Sequence, residues 1–167
     1  MDKSALFKLG YGVYLVSSSL EEKLNGQIAT VVSQITSEPA CIVTCINKLN
    51  LTHEYILKSG KFGVSVLDQD TPIDFIGKFG FKSGRDINKF ENTKFEISES
   101  GTPLVTENTV ATMEAKVINQ LDVGTHTMFV GEIIDCKTIS EAIPMTYAYY
   151  HEVKKMKSPK TAPTYNG

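Results

Sequence analysis

The sequence predicts a mainly β protein, built as a small antiparallel barrel of six to seven strands with a few short helices. Several segments alternate apolar and polar residues with a period of two, which is typical of strands that bury one face. Strands and helices do not alternate along the chain, and this disfavours a parallel sheet. The 167 residues are enough for one ordinary domain.

The predicted strands are short and rich in β-branched or aromatic residues. The segment 41–46 is almost entirely apolar or small, so we expect it to be covered on both faces. Asn25-Gly26 is a typical turn dipeptide and predicts a turn before the second strand, with Gly26 at positive φ. Residues 122–124 predict another turn, between the last two strands. The strands themselves are predicted over residues 12–17, 27–35, 41–46, 62–66, 113–117 and 128–134.

Two short helices are predicted between these strands. The first spans residues 52–59, and Gly60 is placed to end it. The second begins at Thr71-Pro72, where we expect Thr71 to cap the helix and Pro72 to occupy its first turn. Its buried face is predicted to contain Ile73, Phe75, Ile76 and Phe79.

The composition divides the chain into a folded domain over residues 1–150 and a basic tail over residues 151–167. The tail has four lysines against one glutamate, and Pro159 and Pro163 favour an extended, semi-flexible segment. The whole chain has a formal net charge of -2 and a pI near 5.9, so no overall positive field attracts nucleic acid. We therefore expect no nucleic-acid partner.

The three cysteines and the hydropathy pattern exclude further classes. Cys41, Cys45 and Cys136 form no C-x-x-C pair, so we predict neither a zinc ribbon nor a rubredoxin-type iron site, and no metal site at all. No stretch approaches the roughly 20 apolar residues of a membrane span, and the first residues lack a signal-peptide pattern. Free thiols without a secretory signal predict a cytoplasmic protein with no membrane partner.

Four sequence segments, taken together and in this order, carry a resemblance to a known family. They are NGQIATVVSQITSEP over residues 25–39, CIVTCINKLNLTH over 41–53, SGRD over 83–86 followed by KF at 89–90, and GTHTMFVGE over 124–132. Together they resemble the flavin-reductase-like, FMN-binding split-barrel family, across about the whole chain. Within it they are most similar to the NAD(P)H:flavin or NAD(P)H:rubredoxin oxidoreductase module of high-molecular-weight rubredoxins. The fold that this resemblance implies is an FMN-binding split β-barrel with Greek-key connections.

The resemblance implies a homodimeric enzyme that passes electrons from NADH or NADPH through bound FMN to free flavin, rubredoxin or another small acceptor. Because C-x-x-C pairs are missing, we expect any rubredoxin acceptor to be a separate protein. The alternative is a non-enzymatic FMN-binding electron carrier or flavin-storage protein. A pyridoxamine-phosphate-oxidase-like enzyme is disfavoured, because such relatives surround two phosphates with several arginines and this chain has only Arg85.

The resemblance also implies which residues bind the cofactor. Small residues and a glycine let backbone amides approach the edge of the flavin ring. The segment 47–52 is similar to the family's phosphate-side segment, where Lys48 offers charge and Thr52 a hydroxyl. The candidate cofactor-binding residues are Asn25, Gly26, Gln27, Ile28, Ala29, Thr30, Cys45, Asn47, Lys48, Leu51, Thr52, His53 and Arg85.

Arg85 and His126 have particular roles in this prediction. Arg85 is the only forked cation in the chain, suited to a phosphate or to the pyridine dinucleotide. His126 is the candidate catalytic residue, near the flavin or the entering nicotinamide. Hydride transfer needs stacking and orientation rather than a general base, so we expect His126 to position the reactants or to donate a hydrogen bond to the reduced flavin.

Overall fold

The computed structural model describes residues 3–165. Within that range the chain forms nine β-strands, three α-helices and one short 3-10 helix, Lys3–Lys8. The strands are β1 Tyr14–Leu20, β2 Lys23–Ala29, β3 Val32–Ser37, β4 Ala40–Asn47, β5 Lys61–Leu67, β6 Phe95–Ile97, β7 Pro103–Val105, β8 Thr109–Asp122 and β9 His126–Thr138. The helices are α1 Leu51–Ser59, α2 Ile73–Gly80 and α3 Tyr147–Glu152.

Seven strands form one antiparallel sheet that curls into a barrel. The strand order is β2-β1-β5-β8-β9-β4-β3, while β6 and β7 form a separate pair. The two outermost strands, β2 and β3, follow one another in the chain with only residues 30–31 between them, so the two edges of the sheet must meet. The Thr44 hydroxyl of β4 donates to the Val31 carbonyl at 3.0 Å and fastens this junction. The predicted mainly β split barrel is confirmed.

Two apolar clusters hold the barrel and its helices together. The inner cluster includes Val16, Phe62 and Phe129, all fully buried. The outer cluster packs α2 and α3 on the barrel, with Leu15 and Phe79 among its buried members. Neighbouring residues of a strand point to opposite faces, so Leu15 and Val16 place β1 between both clusters. The Asp122–Gly124 turn forms as predicted, with Gly124 at a φ of 88°.

The prediction of a turn at Asn25-Gly26 is wrong. Gly26 lies within β2, paired with Ser17 of β1, and the two strands turn instead at residues 21–22, where Glu21 has a φ of 55°. Sequence signals for turns are local, whereas the pairing with Ser17 is set by the register of the whole β1–β2 hairpin. The predicted strand over residues 27–35 is likewise two strands, because its halves belong to opposite edges of the sheet.

The two predicted helices form, with one correction at the start of α2. Helix α1 ends as expected at Gly60, whose φ is 70° and whose N–H donates to the Ile56 carbonyl at 2.9 Å. Thr71 does not cap α2, because its hydroxyl donates to the Asp68 carbonyl at 2.8 Å, and Pro72 takes the N-cap position. The predicted Ile73 is exposed, and the buried face of α2 consists of Phe75, Ile76 and Phe79.

Helix α3 is absent from the sequence prediction, since its six residues are too few for a periodic pattern. Thr146 caps it by accepting a hydrogen bond from the Tyr149 N–H at 3.1 Å. Among residues 3–165, no helix is both long and apolar enough to cross a membrane. The same residues contain no group of three or more His, Cys, Asp or Glu side chains arranged to hold a metal ion.

Candidate functional site

A cleft of about 350 Å³ lies between β2, the start of α1, the end of α2, helix α3 and the C-terminal segment. Most of the predicted cofactor-binding residues meet there, although they come from separate elements. Those that line the cleft are Asn25, Gln27, Ile28, Ala29, Thr30, Cys45, Asn47, Leu51 and Thr52.

Strand β2 forms the inner wall of the cleft as an edge strand. It pairs only with β1, so its second edge presents backbone groups that the sheet does not use. Two buried side-chain atoms on this wall, Gln27 Oε1 and Thr30 Oγ1, have no hydrogen-bond partner within residues 3–165. Buried polar atoms without partners are rare and costly, so this wall is suited to a ligand that supplies hydrogen bonds.

The start of α1 forms a second, anion-compatible side of the cleft. Asn50 occupies the N-cap position without a side-chain capping bond, and Asn50, Leu51 and Thr52 line the cleft. The Asn25 side-chain amide donates to Thr52 Oγ1 at 2.8 Å and ties β2 to this first turn. Free amides at a helix N-terminus attract negative charge, as does the positive end of the helix dipole.

Lys89 is a buried cation in the cleft wall that sequence reasoning did not assign to the site. Its side chain is almost fully covered, and Nζ donates to the carbonyls of Gly26 at 3.0 Å and Phe79 at 2.9 Å. Burial lowers the pKa of Lys89 from 10.5 to about 8. The described residues that line the cleft include no aspartate or glutamate. An ammonium has three N–H donors, so one remains available to a ligand.

Lys48 and Arg85, the lysine and the arginine among the predicted cofactor-binding residues, lie outside the cleft lining. Lys48 Nζ is 2.6 Å from Asp122 Oδ2, in an exposed pair at the β8–β9 turn. Arg85 Nη2 is 3.1 Å from Glu54 Oε2 and borders a second groove, on the other side of the 83–88 loop. Exposed pairs of this kind contribute little stability, so either cation can exchange its partner. Their contacts with phosphate or dinucleotide remain predictions.

The two predicted histidines and Gly26 surround the cleft without lining it. His53 is buried, with Nε2 2.8 Å from Thr127 Oγ1, and burial followed by the charge of Lys48 lowers its pKa. His126 reaches the rim, where Nε2 is 3.2 Å from the Thr161 carbonyl. Gly26 contributes the carbonyl that Lys89 binds. The roles predicted for these three residues remain predictions.

The C-terminal segment forms the outer wall, which the sequence did not indicate. Residues 158–163 line the cleft together with Tyr147 and Tyr150 of α3. Proline and lysine in this segment predicted an extended tail, because local composition does not show that a segment folds back on the domain. The side-chain pattern of residues 157–165 offers no periodic signal from which this packing could be predicted.

Comparisons with known proteins identify the family. The profile of the "Flavin reductase like domain" matches residues 6–156. A "Ferric-chelate reductase (NAD(P)H)" of Archaeoglobus fulgidus is 47% identical over 165 residues, 99% of this chain and 98% of that protein. A "High molecular weight rubredoxin" of Moorella thermoacetica is 46% identical, over 99% of this chain and 72% of that protein. The solved structure of the NADH:FAD oxidoreductase SgcE6 of Streptomyces globisporus C-1027 has a TM-score of 0.78 at 22% identity, covering 89% of each chain.

The residues present in the cleft fit the cofactor that the resemblance implies. A flavin ring carries carbonyl and N–H groups along its edge, which match the β2 edge with the unpartnered Gln27 and Thr30 atoms. A phosphate matches the first turn of α1 and Lys89, and no carboxylate among the described cleft residues opposes it. The sequence predicted an NAD(P)H-dependent oxidoreductase that uses FMN, and the family of these relatives has that activity. The chain belongs to the flavin reductase-like domain family.

Proposed function

We propose that this chain binds FMN in the cleft, takes electrons from NADH or NADPH and passes them to a small acceptor. The observation that carries the proposal is the cleft wall itself, where unpartnered polar atoms on β2 and the residue after it meet a buried lysine and an uncapped helix start. Bound FMN supplies chemistry that links a two-electron donor to one-electron or two-electron acceptors.

Each wall of the cleft has a distinct task in this proposal. The end of β2 and the junction that follows it, residues 27–30, hold the ring edge and fix its orientation through backbone groups and the side chains of Gln27 and Thr30. The first turn of α1 and the free N–H of Lys89 bind anionic oxygens of the cofactor. Apolar residues such as Ile28 and Phe79 line the remaining surface and exclude water from the ring.

Small anionic acceptors suit the charge of the cleft. Its lining contains Lys82, Lys89 and Lys160 but no carboxylate among the described residues, although the whole chain is acidic. We propose that the acceptor is free flavin or a ferric chelate, as the name of the Archaeoglobus relative suggests. Oxidation of one NAD(P)H releases two electrons, which reduce one free flavin or two ferric ions. Rubredoxin is the second candidate, because the Moorella relative has that name.

The decisive test is anaerobic reduction of the FMN-loaded protein. We expect the visible flavin bands to bleach when one equivalent of NADH or NADPH is added, and to return when ferric citrate or free FMN is supplied. Dithionite, which reduces any accessible flavin, is the control. Bleaching by dithionite but by neither nucleotide would identify an electron carrier instead, and failure to bind FMN would exclude both functions.

A homodimer is the proposed assembly. Large apolar side chains are exposed around the β8–β9 turn, where Leu49 is 79%, Leu121 54% and Val123 49% exposed. Clustered exposed apolar residues mark interaction surfaces. We expect the chain to sediment as a dimer and Leu121→Lys to shift it towards the monomer. Ile97→Lys, at a similarly exposed isoleucine on β6, serves as the control and should leave the dimer intact.

A further inference from the structure

The C-terminal segment covers the cleft as a strap. We use this name for residues 157–164, most of which form the outer wall opposite β2. The strap has its own internal bonds, since the Ala162 N–H donates to the Pro159 carbonyl at 2.9 Å and Ser158 Oγ is 2.7 Å from Thr164 Oγ1. The strap is therefore a shaped segment of chain that closes one side of the site.

The strap is fixed to α3 at its beginning. Tyr147 Oη is 2.9 Å from Ser158 Oγ, and the Tyr150 hydroxyl donates to the Lys157 carbonyl at 3.2 Å. Both tyrosines also line the cleft. This end has two hydrogen bonds to a helix that packs on the core, so it is suited to act as the hinge.

The middle of the strap has a single hydrogen bond to the barrel. His126 Nε2, at the start of β9, is 3.2 Å from the Thr161 carbonyl. Among the backbone and side-chain groups that the structure describes, this is the only hydrogen bond that joins residues 159–164 to a part of the chain outside the strap and the residue after it. A carbonyl only accepts, so Nε2 of His126 donates this bond, while Nδ1 lies 2.8 Å from the Thr125 hydroxyl oxygen.

We propose that the strap retains FMN in the cleft and that His126 is the positioning residue that latches it. The inference rests on the proposed function and deepens it, because a strap that opens at its latch sets how fast the flavin leaves. Opening breaks one hydrogen bond at the latch while the hinge at α3 stays intact. His126 therefore acts on the cofactor through Thr161 rather than by direct contact.

The first test measures the release of FMN. A hydrogen bond contributes about 0.5–1.5 kcal/mol, so we expect His126→Leu to release FMN roughly 2- to 12-fold faster than the wild type. His126→Gln retains an N–H donor and should restore slow release. The rate is followed by the recovery of FMN fluorescence after the FMN-loaded protein is diluted into flavin-free buffer. Bound FMN with an unchanged release rate in His126→Leu would overturn the latch and leave the proposed function intact.

The hinge offers a matched pair of variants on the same helix. Tyr147→Phe removes the hydroxyl that contacts Ser158, whereas Tyr149→Phe removes a hydroxyl that makes no hydrogen bond within the described residues. We expect Tyr147→Phe to accelerate FMN release and Tyr149→Phe to leave it unchanged. Equal release rates in the two variants would contradict the hinge.

Limited proteolysis tests the strap without relying on the flavin. Trypsin cleaves after Lys157 and Lys160, both in the strap, and only when the segment leaves the cleft wall. In flavin-free protein, His126→Leu should be cut at these two bonds several-fold faster than the wild type, and FMN should protect both proteins. Equal cleavage rates in His126→Leu and the wild type would overturn the strap, whether or not FMN binds. Failure to bind FMN would by itself reject only the proposed function.

Discussion

Replacing Lys89 by methionine is expected to lower the affinity for FMN by about 10- to 150-fold. A hydrogen bond to a charged group contributes roughly 1.5–3 kcal/mol, which corresponds to that range of dissociation constants. Lys89 Nζ already donates to the carbonyls of Gly26 and Phe79, so its third N–H has a fixed direction. The described cleft lining offers no carboxylate to neutralise the ammonium, and an anionic ligand would therefore be its first counter-charge.

The pH dependence of FMN binding distinguishes Lys89 from the other cations of the chain. Its pKa in the flavin-free protein is about 8, and a bound anion raises it, so binding requires the proton. The affinity for FMN should thus be level between about pH 7 and 8, where the FMN phosphate is already a dianion, and should fall as the pH rises further. In Lys89→Met this fall should disappear. Titration of FMN fluorescence at pH 7 and pH 9.5 measures both effects, with Lys94→Met, an exposed lysine outside the cleft, as the control.

The lowered pKa of Lys89 also predicts how the stability of the flavin-free protein depends on pH. The folded pKa of Lys89 lies below its ordinary value of 10.5, so folding releases a proton and the charged form destabilises the fold. This penalty, about 3 kcal/mol at most, is complete below pH 8 and decreases between pH 8 and 10.5. The free energy of unfolding of the wild type should therefore rise relative to Lys89→Met across that interval. The role of Lys89 in binding would be refuted if Lys89→Met bound FMN within twofold of the wild-type affinity and if its affinity changed with pH in parallel with that of the wild type.

Gly84→Ala is expected to damage the cleft from its other side. A Cβ at position 84 would lie 1.9 Å from Asn25 Oδ1 and 2.8 Å from Asn25 Cγ. Asn25 is buried and bonded to Thr52, so its amide cannot move without breaking the link between β2 and α1. Overpacking of this kind costs about 1–3 kcal/mol, and we expect a comparable loss in the free energy of unfolding.

Gly84→Ala should also lower the affinity for FMN by about tenfold or more, because Asn25 and Thr52 both line the cleft. Gly77→Ala is the matched control. Gly77 lies in α2, and no atom beyond its chain neighbours and the backbone of its own helix comes within 4 Å of the point that an alanine methyl would occupy, so alanine there should stabilise the protein by about 0.5–1 kcal/mol. Isothermal titration and urea unfolding of the two variants provide the comparison. Unaltered FMN binding by Gly84→Ala would show that Asn25 does not shape the cleft.

The sequence predicts those parts of this molecule that depend on neighbours along the chain. The end of α1 at Gly60 and the turn at Gly124 follow from residues with special backbone freedom. Asn25-Gly26 misleads, because pairing with Ser17 outweighs the local preference for a turn. The nine cleft residues were predicted from a family resemblance, which carries information about three dimensions that composition and periodicity lack.

The missed parts of the site depend on contacts between distant residues. Lys89 and Gly26 are 63 positions apart, and an isolated lysine in a polar loop has the pattern of an ordinary surface charge. His126 and Thr161 are 35 positions apart, and the composition of the tail favoured an extended segment. In both cases the contact that gives the residue its role exists only after the chain has folded.

The two-residue connection between β2 and β3 has a consequence for how the cofactor and the fold depend on each other. The cleft receives residues from β2, at one edge of the sheet, and from Cys45 and Asn47 of β4, one strand from the other edge. A molecule seated there is a non-covalent crosslink across the seam of the barrel. Cofactor binding and closure of the seam are then coupled. The free energy by which closure of the seam strengthens cofactor binding equals the free energy by which the bound cofactor stabilises the closed seam.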